Sequence, residues 1–211
     1  MTPVRDRGFA FALIGLAAVA TAMAGPARAE PNCADAVRTL IKSEYPGKFP
    51  LKTPVKSRIL TKMPGSPAMA TFVLTDGERH LSLNEDGAPV ALYTEGGFYT
   101  TPDNGESWVL EQAFSATDLN EARRGLETQA QDARNITCTH GLDLDGRTVH
   151  HYTAKYTLHM IGMPVHAEYW VLPDTDFAWK TRLIYDPGAE NVVVEQTAEP
   201  APEERLPNPE G

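Results

Sequence analysis

The stretch Gly146-Arg147-Thr148-Val149-His150-His151-Tyr152-Thr153-Ala154-Lys155-Tyr156-Thr157-Leu158-His159-Met160-Ile161-Gly162-Met163-Pro164-Val165-His166-Ala167-Glu168-Tyr169-Trp170-Val171-Leu172, continuing to Tyr185, decides the fold. Its first half separates into two alternate sets. Tyr152, Ala154, Tyr156, Leu158 and Met160 are apolar or aromatic; His151, Thr153, Lys155, Thr157 and His159 are polar. A period of two marks a half-buried strand. Beyond Ile161-Gly162-Met163-Pro164 the alternation resumes, with Val165, Ala167, Tyr169 and Val171 set against His166, Glu168, Trp170 and Leu172. Two long antiparallel strands joined by a tight turn are expected. With Gly162 and Met163 as the turn residues, Met160 faces Val165, Leu158 faces Ala167, Tyr156 faces Tyr169 and Ala154 faces Val171. Every pair on that face is then apolar or aromatic, and a slip of one residue would turn one strand inside out. Gly162 supplies the positive φ that a primed turn needs.

The same register sets His159 opposite His166 with Glu168 diagonally near. Opposed Cβ atoms lie about 5 Å apart, close enough for two imidazoles to share a zinc or copper ion. The competing reading is a row of polar residues on the wet side of a sheet. Tight sites recruit a third or fourth ligand, so no metal site and no cofactor is assigned.

Outward from the hairpin, both directions are rich in strands. Runs at Val55–Leu60, Ala68–Thr75, His80–Leu83, Val90–Tyr93, Gly97–Thr101 and Ser107–Glu111 are separated by Pro64-Gly65, Asp76-Gly77, Asp86-Gly87, Gly96-Gly97 and Asn104-Gly105. Short strands with turn chemistry between them describe an antiparallel meander rather than βαβ units. Thr101-Pro102-Asp103-Asn104-Gly105-Glu106-Ser107-Trp108 resembles the Asp-box of sialidase-like propellers. It occurs once, and it is read as a turn fixed by Asp103 and Gly105 with Trp108 packed behind it. Further strands are expected at Thr181–Tyr185 and Asn191–Thr197, joined by Asp186-Pro187-Gly188.

Two helices interrupt the strands. Asn32 is a suitable N-cap for a helix to about Tyr45, with Val37, Leu40 and Ile41 on one face and Pro46-Gly47 as its stop. The second runs from Ser115 to Ala133, with Leu119, Ala122, Leu126, Ala130 and Ala133 at helical spacing and Thr117 as N-cap. The fold class is therefore α+β, an antiparallel meander with two packing helices.

Residues 1–29 read as a signal peptide. Arg5 and Arg7 precede the apolar run Phe9–Ala24, and Ala27-Arg28-Ala29 gives a small-x-small cleavage pattern. Export to a bacterial periplasm is the expected localisation. Residues 30–197 are expected to form a single β-rich domain, and the Pro- and Glu-rich segment 198–211 a disordered tail. Cys33 and Cys138 are the two cysteines of the chain. In an oxidising compartment such a pair is most simply a disulfide, and closing a loop of about a hundred residues contributes roughly 4–5 kcal/mol in the chain-entropy model.

The chain of 211 residues carries a formal net charge of −9, and the leader holds three arginines against one aspartate. So acidic a surface argues against nucleic acid and against electrostatic docking to anionic lipid. The apolar run of the leader is too short for a convincing span, so an integral membrane protein is not expected. No G-x-S-x-G, H-E-x-x-H or phosphate loop occurs, and no catalytic residues are assigned. Asp143-Leu144-Asp145-Gly146 has the start of a calcium loop without the later ligands.

Gly146-Arg147 to Tyr152, Ala167-Glu168-Tyr169-Trp170-Val171, and Asp174 leading into Lys180-Thr181-Arg182-Leu183 together resemble the outer-membrane lipoprotein carrier family (LolA/LolB-like). The likeness covers about residues 55–197, with Asp176-Phe177-Ala178 where those proteins have Gly-Leu-Pro. The resemblance implies an unclosed half-barrel whose concave face, partly covered by helices, binds a lipid or another apolar small molecule. Tyr152, Tyr156, Leu158, Met160, Tyr169 and Val171 are the ligand-binding candidates on that reading. The alternatives are a periplasmic interaction or scaffold protein with a filled core, and a weak metal-binding protein using His159, His166 and Glu168.

Overall fold

Helix α1 spans Cys33–Ser43 and helix α2 spans Ala116–Asp132. The strands are β1 (Val55–Lys62), β2 (Met69–Thr75), β3 (His80–Leu83), β4 (Pro89–Tyr93), β5 (Gly97–Thr100), β6 (Val109–Ala113), β7 (Arg134–Leu144), β8 (Arg147–Leu158), β9 (Met163–Leu172), β10 (Phe177–Tyr185) and β11 (Val192–Pro200). The structure is a computed structural model that describes residues 32–43, 53–77, 79–185 and 191–209. The leader 1–29, the Tyr45 end of the first helix with its Pro46-Gly47 stop, and the Asp186-Pro187-Gly188 turn lie outside them. Among the described residues no helix is long and apolar enough to cross a membrane.

All eleven strands form one antiparallel sheet in the order β6-β5-β4-β3-β2-β1-β11-β10-β9-β8-β7. Two meanders are thus stitched together by the first and last strands. Side chains tie that seam on both faces: Gln196 Nε2 donates to Ser57 Oγ at 3.1 Å, and Lys62 Nζ meets Glu195 Oε2 at 2.8 Å. The Lys62 bond holds the Glu195 carboxyl below its ordinary value.

The sheet does not close, and its curvature follows from chain length. Eleven strands laid flat span about 48 Å at about 4.8 Å per step. Helix α2 is the connection between the two edges, β6 and β7. Its seventeen residues reach about 25 Å, and the extended links at its ends add less than about 18 Å. The edges must therefore curl toward α2, giving an α+β unclosed half-barrel with its helices on the concave side.

The central hairpin keeps the expected faces but not the expected turn. Tyr152 pairs with Tyr169, Ala154 with Ala167, Tyr156 with Val165 and Leu158 with Met163, leaving a four-residue loop at 159–162. A two-residue turn at Gly162-Met163 would have needed an N–H from Pro164 to close on the Ile161 carbonyl, and proline has none. The longer loop asks positive φ only of Gly162, at φ +66°. Each strand slides by an even number of residues, so no face inverts. Met160 leaves the sheet for the loop tip. His159 goes with it, and His166 now lies opposite Lys155. The His159/His166/Glu168 metal reading is overturned by that shift.

Ser115, not Thr117, caps α2. Its hydroxyl accepts from Asp118 N at 3.2 Å, while Asp118 Oδ2 accepts from Ser115 N at 2.8 Å, a reciprocal capping box. Asn32 caps α1 as expected, its Oδ1 accepting from Ala34 N at 3.1 Å. The β5–β6 turn is fixed by Asp103: Oδ1 accepts from Ser107 N at 2.8 Å and Oδ2 from Ser107 Oγ at 2.6 Å, which holds the carboxyl below its ordinary value. Trp108 packs behind it against Leu74, Leu81, Leu92 and Tyr99.

The segment after Ala198 is not a free tail. Ala198–Pro200 complete β11, and Ala201 and Leu206 are buried on the Leu74/Leu81/Leu92/Tyr99 face of β2–β5. Arg79 donates to the carbonyls of Leu206 and Pro207 at 3.2 and 2.9 Å and is itself held by Asp76. Composition missed this because two apolar residues and one arginine are enough to anchor the segment.

Beside that clasp, burial pushes the His80 imidazole down to about 4, against a smaller raising effect of Asp76. Its Nε2 is buried without a hydrogen-bond partner among the described residues. Between pH 6.5 and 4 the unfolded chain takes up a proton that the folded chain refuses, so stability falls as pH falls through that window. The expected loss from this group is about 3 kcal/mol at most. Urea unfolding of wild type and His80→Leu at pH 7 and pH 4.5 checks it; an identical pH dependence in the two would remove His80 as the cause.

Candidate functional site

The disulfide Cys33–Cys138 is formed, with the two Cα atoms 6.0 Å apart. It fastens the first residue of α1 to β7, where Cys138 lies opposite Tyr152. That tether sets Val37 and Ile41 down on the sheet. There they share a buried cluster with Ala130 of α2 and with Tyr152, Ala154, Tyr156, Val165, Ala167, Tyr169 and Val171. Tyr156 and Tyr169 are each 1 % exposed. Leu158 sits at the margin of the cluster, and Met160 is 93 % exposed at the hairpin tip. The structure therefore brings five of the six candidate residues together on the helix-covered face and takes Met160 away from them.

Register carries that face further along the sheet. Leu183 and Tyr185 of β10 lie opposite Ala167 and Val165, and on their other side opposite Val194 and Val192 of β11. Val194 in turn faces Thr61, and Gln196 faces Ile59, which faces Thr71 of β2. Directly opposed residues share a face of an antiparallel pair. Leu183 and Tyr185 pack against the helix-covered cluster, and Val192, Val194, Ile59 and Thr71 continue the concave floor beyond it; all six are half-buried.

Above this floor passes α2. It leaves β6 beside the β4–β5 turn, where Phe114 N donates to Gly96 O at 3.1 Å and Arg123 meets Glu95 at 3.3 Å. It ends on α1 and β8, and among the described residues these are the elements on which it chiefly packs. Ala130 is its buried residue, whereas Leu119, Ala122 and Leu126 on the same stripe stay half-buried. The front part of the helix stripe and this apolar floor are thus both only half-buried. The sequence carries a faint signal for this floor. Val192-Val193-Val194 is apolar on both faces, so alternation does not single out one of them.

The opposite face of the same strands is a charge ladder. Glu168 meets His151 Nε2 at 3.4 Å and Arg182 at 3.1 Å, and Arg182 reaches Glu195 at 3.6 Å. Trp170 stacks on His151, ring centroids 4.8 Å apart, and lies 5.2 Å from Lys180 Nζ. These contacts are ion pairs and ring contacts, with His151 Nε2 and Arg182 Nε buried without a hydrogen-bond partner among the described residues. At the strand ends remote from the 159–162 loop, Arg147, Thr148, Leu172, Pro173, Asp174 and Thr175 line a more polar recess of about 540 Å³. The Arg147 guanidinium lies 4.7 Å over the Trp179 ring.

No family model matches the chain, and no curated protein matches its sequence. Among solved structures it is similar to the lipoprotein LppX of Mycobacterium tuberculosis, with 13 % identity, 84 % of this chain and 98 % of that chain covered, and a TM-score of 0.51. It is also similar to the MucA/MucB complex of Pseudomonas aeruginosa (13 % identity, 81 % and 58 % covered, TM-score 0.43). A third match is a LolA-superfamily protein of Nitrosomonas europaea (12 % identity, 81 % and 95 % covered, TM-score 0.33). At these identities the likeness to LppX is one of fold, and it agrees with the LolA/LolB-like architecture expected from the sequence.

Proposed function

We propose that the chain is an exported carrier that takes an acyl chain, or another apolar molecule of similar width, into a trough under α2. The observation that carries this reading is the half-buried apolar continuation of the concave floor, Val194 and Ile59, on the face that a helix with a half-buried stripe of its own covers. Apolar surface on both sides of one gap is what a hydrocarbon ligand would bury. Tyr152, Tyr156, Leu158, Tyr169 and Val171 then form the packed end wall of the site. Export is supported by the disulfide, which persists in oxidising compartments, and by the leader-like residues 1–29.

The test is native mass spectrometry of the protein purified from a bacterial periplasm, followed by organic extraction. The expected result is extra mass that solvent removes as lipid, together with faster transfer of a fluorescent lipid between vesicles. Ile59→Trp and Val194→Trp, which fill the trough, reduce both while leaving the disulfide-linked core folded. A clean apo mass with no acceleration of transfer would sink the carrier reading. It would leave an interaction module with a filled core.

A further inference from the structure

The trough floor runs out at one rim of the half-barrel, and two hairpin tips stand on that rim. Register places them there. Leu158 and Met163 close the β8–β9 loop at the same strand ends where Tyr185 meets Val192, Lys62 meets Val193, and Thr61 meets Met69 before the β1–β2 turn. Met160 is 93 % and Ile161 66 % exposed at the first tip; Met69 is 56 % and Met63 39 % exposed at the second. Large apolar side chains this exposed at paired tips mark an interaction site.

Neither tip carries a charged residue. Leu158 to Leu172 holds no Asp, Glu, Lys or Arg before Glu168, and Met63 to Thr75 holds none at all. In a chain with a net charge of −9, the two tip segments are uncharged, and the nearest described charge beside them, Lys62, is paired with Glu195. We infer that these two tips seat the rim on an electrically neutral lipid surface, so that the trough opens toward the bilayer. The inference rests on the carrier reading for its purpose, not for its chemistry. Met and Ile side chains enter the headgroup–acyl boundary by apolar burial, which needs no lipid charge. Unbranched methionine adapts to an irregular surface.

Flotation of the full chain with phosphatidylcholine vesicles tests it. Wild type is expected to float with the vesicles, and raising the salt concentration leaves the bound fraction unchanged. The double variant Met160→Asp/Ile161→Asp partitions at least about tenfold less, since two buried apolar side chains are lost from the contact. Met63→Asp/Met69→Asp shows the same direction. Both pairs of residues are exposed, and an unchanged melting temperature confirms that the variants fold. Wild type that stays with the protein fraction overturns the inference. So does binding confined to anionic vesicles and abolished by salt, or a self-associated chain that the tip variants turn into monomers. Flotation without extractable lipid would keep the docking rim and discard the carrier; extractable lipid without flotation would do the reverse.

Discussion

Replacement of both Cys33 and Cys138 by serine lowers the stability of the folded chain by about 4 kcal/mol, measured by urea unfolding, and reduction of wild type gives the same loss. The bond closes a loop of 105 residues, and in the chain-entropy account a loop that long restrains the unfolded chain strongly. Its native role is equally specific. Helix α1 has eleven residues, too few to be stable alone, and its buried anchors are Val37 and Ile41. The disulfide is what holds its first turn against β7. Without it α1 should lift, and Tyr152 and Tyr156 should gain solvent, seen as binding of a hydrophobic dye and loss of near-ultraviolet dichroism. A double-serine variant within about 1 kcal/mol of wild type would show that packing alone seats the helix.

How much of this was legible beforehand depended on which force set each feature. Strand positions were readable wherever a half-buried face imposes alternation, as in β8 and β9, or where Gly and Asp or Asn mark a turn. β7 was not. Its residues are almost all exposed, Asn135 and Gly141 sit at positive φ, and two bulges interrupt its pairing with β8. An edge strand with one covered side has little pattern to show. The face of each hairpin residue was legible because parity fixes it. The register was not, because a slide by an even number of residues preserves every face. Pro164, which has no N–H to close a two-residue turn, weighs against the shorter loop instead. The candidate site was legible only as a face. Tyr152, Tyr156 and Tyr169 alternate correctly, but alternation says nothing about whether a helix covers them. Their burial comes from Cys33 pairing with Cys138 and from the diagonal path of α2, both long-range events. The trough floor on β11 and β1 becomes visible only when register joins strands more than a hundred residues apart.

Tyr156→Ala should cost about 3–5 kcal/mol, the range for removing a large aromatic side chain from a packed core. Tyr156 is 1 % exposed between Val165 and the two helices, so its loss leaves a cavity that Val37, Ile41 and Ala130 cannot fill without moving the helix backbone. Val194→Ala, on the same face two strands away from β9, should cost about 1 kcal/mol, because Val194 is only half-buried. The pair of values separates a core from a site. If both substitutions cost several kcal/mol, the trough is closed in solution and the concave face is one continuous core. If both cost about 1 kcal/mol, α1 and α2 ride loosely on the sheet and the whole face is available to a ligand. The expected split, a costly Tyr156 and a cheap Val194, places the boundary between wall and trough at β10. It also predicts that Val194→Ala lowers the amount of extractable lipid more than its small effect on stability would suggest.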